Sequence, residues 1–99
     1  MCDVMKYMEI SKMLTISTTH ISLASADLLD TKEERMETGL VVYEKGNYGW
    51  FIHVDEFFEL DATPEDIMNC IFVAKQNNCE WLCLDRDGET IDGLPVYDW

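Results

Sequence analysis

Met13 to Ser17 alternates apolar and polar residues around Leu14 and Ile16, the period-two signature of a half-buried strand. The period then lengthens. Ser22 caps a predicted helix in which Leu28, Leu29 and Met36 are the inward positions. Asp27 lies near its positive end, and Gly39 is placed to stop it in a left-handed conformation. Leu40 to Tyr43 predicts a second strand, Glu44-Lys45-Gly46-Asn47 a tight turn, and Tyr48 to Val54 the returning arm of a hairpin. Thr63-Pro64-Glu65-Asp66 is the strongest local signal in the chain. Threonine caps, proline fits the first helical position, and the two acids meet the positive end of the helix dipole. Ile67, Cys70, Ile71 and Ala74 follow as one inward stripe, Asn77-Asn78 ends the helix, and Glu80 to Leu84 reads as a last strand. Asp87-Gly88 and Asp92-Gly93 mark turns in a tail ending at Tyr97-Asp98-Trp99.

The order strand, helix, strand, strand, helix, strand predicts an α+β domain of the ferredoxin-like βαββαβ kind. Such a domain has an antiparallel four-stranded sheet with two helices on one face, here followed by a C-terminal tail. Residues 1–12 read as a leader and residues 13–99 as the single domain. Strand parity then assigns faces. Leu14, Ile16, Leu40, Val42, Trp50, Ile52, Val54, Leu82 and Leu84 should point toward the helices. Thr15, Ser17, Val41, Tyr43, Phe51, His53, Trp81, Cys83 and Asp85 should line the opposite face. An open face carrying Tyr43, Phe51 and Trp81 is too apolar to stand in water without a reason: the leader and tail, a partner or a second copy of the chain should cover it.

Charge changes this picture more than composition does. The chain has 99 residues, 47% of them hydrophobic, so it can build a core despite twenty acidic residues against seven basic ones and a net charge of -13. The excess is concentrated: from Gly46 to Trp99 only Lys75 and Arg86 are basic. A surface that acidic repels phosphate and attracts cations, which argues against direct nucleic-acid binding and for a basic protein partner. Sheets that stack bases on strand aromatics sit among lysines and arginines, and this one does not. Asp55, Glu56, Glu59 and Asp61 surround Phe57 and Phe58, a mixture suited to gripping a basic, partly apolar surface. Asp85, Asp87 and Glu89 form a second acidic group after the last strand. No apolar run long enough to span a bilayer and no signal-peptide pattern is found, so no membrane association is expected and the protein is expected in the cytoplasm.

Candidate chemistry is sparse. Cys2, Cys70, Cys79 and Cys83 include no Cys-x-x-Cys pair and no zinc-spaced histidines, so free buried or half-buried thiols are expected. Asp85-Arg86-Asp87-Gly88-Glu89 superficially matches a calcium loop, but its glycine comes fourth instead of sixth and Val96 stands where a bidentate glutamate is needed. A hairpin turn is the better reading. No metal, cofactor, phosphate loop or Ser-His-Asp order is indicated. His20, after Thr18 and Thr19, lies just before the first helix, where hydroxyls and a helix start can build a polar pocket suited to acid-base work or ligand binding, with Trp50 or Trp99 nearby. The alternative for His20 is local hydrogen bonding within the packed core.

Ser17-Thr18-Thr19-His20-Ile21, Val42-Tyr43-Glu44-Lys45-Gly46, Tyr48-Gly49-Trp50-Phe51-Ile52, Trp81-Leu82-Cys83-Leu84-Asp85 and Leu94-Pro95-Val96-Tyr97-Asp98-Trp99 form a distinctive set of segments. Taken together they resemble a family of small uncharacterised bacterial proteins, a domain of unknown function met in mobile elements and prophages. The resemblance covers residues 13–99 and carries no assigned chemistry. What it implies is context: accessory proteins of mobile elements often modulate host machinery or defence. The expected function is therefore a non-enzymatic acidic interaction module that binds a basic nucleic-acid-handling or defence protein, as a DNA mimic or inhibitor. A small enzyme or ligand-binding domain around Thr18, Thr19 and His20 is the alternative.

Overall fold

Strand β1 (Met13–Ser17) forms where the alternation predicts it, and its inward Ile16 is fully buried. The structure, a computed structural model, describes residues 10–54 and 63–99. After β1 the chain makes a 3-10 turn at Thr18–His20 and enters helix α1 (Leu23–Asp30). Ser22 caps α1, its hydroxyl accepting from the Ser25 N–H at 3.2 Å. A short helix α2 (Lys32–Glu37) follows. The hairpin comprises β2 (Val42–Glu44) and β3 (Gly49–His53), and α3 (Glu65–Gln76) precedes β4 (Trp81–Asp85).

The fold is α+β with a four-stranded sheet, but the sheet departs from the predicted ferredoxin-like antiparallel arrangement. Strand order is β1-β4-β3-β2, and β1 pairs with β4 in parallel, Ile16 opposite Leu84. The two other pairings are antiparallel. A ferredoxin-like sheet would place β1 centrally and β4 at an edge. Here β4 is central because it is apolar on both sides: Leu82, Cys83 and Leu84 are consecutive buried residues, whereas β1 is exposed at Met13 and Thr15 and suits an edge. The excursion through α3 also returns to the end of the sheet that it left, as the Val54 N–H donates to the Glu80 carbonyl at 2.8 Å. A βαβ crossover would instead carry the chain to the far end and make β3 and β4 parallel.

A second correction concerns the first helical region, which is broken at Thr31. Its backbone is extended (φ -98°, ψ 111°), and its hydroxyl donates to the Asp27 carbonyl at 2.9 Å. The break rotates α2 off the core: α2 has no buried residue, and Met36, expected inward, is 68% exposed. Gly39 does adopt the left-handed conformation, at φ 77°. At the start of α3, Pro64 occupies the cap position and Glu65 is the first helical residue.

The core lies between the sheet and helices α1 and α3. Ile16, Leu40, Trp50, Ile52, Leu82 and Leu84 pack with Ala26, Leu29, Ile67, Cys70, Ile71 and Ala74, while Leu14, Val42 and Val54 close its margin. Every strand residue assigned inward by parity belongs to this cluster or packs against it. Each fully buried leucine or isoleucine contributes about 1.5–3 kcal/mol, so the period-two pattern carries most of the sheet's registration. Cys70, Cys79 and Cys83 are buried free thiols. No described helix is long and apolar enough to cross a membrane.

Candidate functional site

Helix α1 carries Asp27 and Asp30 three residues apart, and this spacing sets both on one face. That face borders a cleft of about 480 Å3. Across from it stand the β2–β3 turn (Gly46, Asn47, Tyr48, Gly49), Trp50 of β3 and Arg86 after β4, with Thr18, Thr19 and Trp99 at one end. The Trp50 ring N–H donates to Asp30 at 3.1 Å, and the Trp99 ring N–H donates to the Ile21 carbonyl at 2.8 Å. Two tryptophans are thus held in place by their polar edges: Trp50 is buried at the floor, and the half-exposed Trp99 leaves aromatic surface for the cleft. The Arg86 guanidinium lies over the Tyr48 ring, 5.8 Å from its centre.

Backbone constraints shape the turn side. Gly49 has φ +150°, and a Cβ there would lie 1.7 Å from the Leu84 carbonyl oxygen. Only glycine lets β3 start this close to β4. Opposite the turn, the tail is drawn against the start of α1: the Tyr97 N–H donates to the Thr19 carbonyl at 2.7 Å.

His20 holds that tail. It is 1% exposed; the Ile91 N–H donates to Nε2 at 2.9 Å, and Nδ1 is 2.8 Å from the Pro95 carbonyl. Because the Ile91 N–H must donate, the ring proton sits on Nδ1 and points at Pro95. Both nitrogens are engaged and the ring does not line the cleft, whereas Thr18 and Thr19 do. The Thr19 and Ser17 hydroxyls are 2.8 Å apart.

The predicted aromatic face lies on the other side of the sheet. Register places Tyr43, Phe51, Cys83 and Thr15 in one cross-strand row, with Trp81 beside His53 in the next. Trp81 meets Tyr43 at 6.0 Å and His53 edge-on at 4.9 Å between ring centres. Tyr43 is exposed, while Phe51 and Trp81 are half-buried. Lys45 and Asp85 form an ion pair at this face, and Lys45 lies 5.7 Å from the Phe51 ring centre. The shared hydrogen bond holds the Lys45 ammonium above its usual pKa and the Asp85 carboxyl below its own. Beneath them, burial pushes the Cys83 thiol up, with the Lys45 charge opposing.

The acidic candidates separate accordingly. Asp85 is half-buried, paired with Lys45, and accepts the Asp87 N–H at 2.8 Å; Asp87 and Glu89 are exposed. The segment Asp85 to Gly88 is a turn that lays the following chain against β1, the Ser17 N–H donating to the Glu89 carbonyl at 3.0 Å. Asp55, Glu56, Phe57, Phe58, Glu59 and Asp61 lie outside the described residues. Sequence reasoning did not connect Asp27, Asp30, Tyr48 or Arg86 with Thr18 and Thr19. The three-residue spacing of two acids on a helix, facing a strand tryptophan, was the available signal.

Residues 13–99 match a family of unknown function, the DUF5983 C-terminal domain. The chain belongs to that family. No curated protein and no solved structure matches it. The match begins at the first residue of β1 and takes in the whole sheet, all three α-helices and the cleft of this DUF5983 domain.

Proposed function

We propose that this DUF5983 domain is a small acidic interaction module of the cytoplasm. It binds a basic, nucleic-acid-handling or defence protein, acting as a DNA mimic or inhibitor encoded by a mobile element or phage. The observation that carries the reading is the imbalance at the described surface. Twelve Asp and Glu residues are exposed there against four Lys and Arg. Two of those four bases already have partners at the protein's own surface: the Lys12 ammonium donates to the Asn77 carbonyl at 2.8 Å, and Arg86 lies on Tyr48. Such a surface steers basic partners by long-range attraction and disfavours phosphate.

A ligand-binding reading centred on Thr18 and Thr19 draws support from the cleft that they border. Its enzymatic version needs a free imidazole, and both His20 nitrogens are engaged.

Charge reversal tests the proposal. Asp85 is spared because of its pairing with Lys45, and Asp55, Glu56, Asp87 and Glu89 are all changed to lysine. The variant should retain the circular dichroism spectrum and lose capture of a basic partner from host lysate, and duplex DNA should compete with the unmodified protein for that partner. Undiminished capture by the folded variant would sink the proposal.

A further inference from the structure

Exposed apolar surface gathers around the cleft. Leu23, Tyr48 and Trp99 are each about half exposed (53%, 52% and 47%) and all three line it, beside Asp27 and Asp30. Apolar side chains left in water next to two carboxylates, against the single guanidinium of Arg86 in the lining, describe a site for a group that is both flat and cationic. The protein itself carries an example: the Arg86 guanidinium already lies over Tyr48, at the border of the same cleft. Asp30 is committed to the Trp50 ring N–H, whereas Asp27 is exposed and enters no ion pair among the described residues. The volume, about 480 Å3, exceeds one side chain and suits a short peptide segment.

We propose that this cleft is a recognition pocket for an arginine side chain presented by a segment of the partner protein. Asp27 supplies the counter-charge, the exposed rings of Trp99 and Tyr48 supply the aromatic walls above the buried Trp50, and Leu23 packs the aliphatic stem. Guanidinium suits the site better than ammonium: its plane stacks on indole while its edge donates to a carboxylate. Arg86 opposes entry as a like charge, so the pocket favours a guest able to displace it from Tyr48 or share the ring. The inference rests on the acidic-module reading and adds a chemical identity for the anchoring group.

The test uses the full chain and a blocked Gly-Arg-Gly peptide, against the same peptide with citrulline, which keeps the shape and removes the charge. Trp50 and Trp99 border the cleft and report binding by fluorescence. The arginine peptide should give a saturable change and the citrulline peptide none. Asp27→Asn, at an exposed position, should keep the fold and weaken binding about tenfold. Arg86→Gln should tighten it roughly threefold by removing a like charge, an outcome that a merely structural role for Arg86 does not produce. Equal binding of both peptides, no effect of Asp27→Asn, or weakening by Arg86→Gln would overturn the inference. The fourfold charge-reversed variant keeps the cleft residues and should still bind the arginine peptide. If the wild-type protein ignores the peptide yet captures a basic partner, this inference alone fails. If it binds the peptide while the charge-reversed variant captures undiminished, the broader function fails instead.

Discussion

At the scale of residues, two side chains and two glycines carry most of the consequences. His20 is a tether: removing the ring deletes both tail hydrogen bonds and opens a cavity beside Ile21. His20→Ala should lower stability in urea by about 2–4 kcal/mol and speed amide exchange at Ile91 and Tyr97, and unchanged exchange there would contradict the tether. Cys70 is buried against Asp66, and burial, with the Asp66 charge adding, pushes its thiol from 9.0 up to about 12. The unfolded thiol ionises first as pH rises. Stability should therefore hold below pH 9 and decline progressively toward pH 12, with Cys70→Ser flattening that decline. Gly49 and Gly46 offer a matched contrast. Alanine at Gly49 collides with the Leu84 carbonyl and should cost about 3 kcal/mol or more. At Gly46 (φ +53°) a Cβ meets nothing, so alanine should cost only about 1 kcal/mol, the left-handed penalty. Thermal unfolding of the two variants compares them directly.

At the scale of elements, α1 and α3 are joined through one carboxylate. Asp66 is buried, accepts the Ser22 N–H at 2.7 Å and the Ser25 hydroxyl at 2.7 and 2.8 Å, and so serves the start of α1 from the first turn of α3. The sequence suggests only that Asp66 meets its own helix dipole; its second role needs the tertiary fold. Asp66→Asn should destabilise by about 2–3 kcal/mol, and most of that loss should vanish in a Ser25→Ala background if the pair is coupled. The period-two pattern made strand faces legible throughout, because each inward residue from Leu14 to Leu84 reports its own burial. Sheet order was not legible in the same way. Pairing of β1 with β4 joins residues nearly seventy positions apart, and no local signal encodes it; only the continuous apolar run of β4 hinted at a central strand. The helix break at Thr31 escaped because a β-branched residue lowers helix propensity by only tenths of a kcal/mol, too little to read against Leu28, Leu29 and Met36. The cleft was half legible. Thr18, Thr19 and the tryptophans stood out as residue types, but their meeting with Asp27 and Arg86 depends on the turn after β4.

For the whole molecule, charge bears on stability and, under the proposed function, on recognition. A net -13 on 99 residues is self-repulsive. Added salt should raise the melting temperature from low to physiological ionic strength, and a melting temperature indifferent to salt would show that the acids are better compensated than their exposure indicates. The same field should dominate association. The most direct measurement is the association rate of the protein with its captured basic partner as ionic strength is varied, for the wild type and for the variant with Asp55, Glu56, Asp87 and Glu89 changed to lysine. The wild-type rate should fall steeply with salt, while the folded variant should bind slowly at every ionic strength. A wild-type rate independent of salt and matched by the variant would contradict the account of this domain as an acidic interaction module.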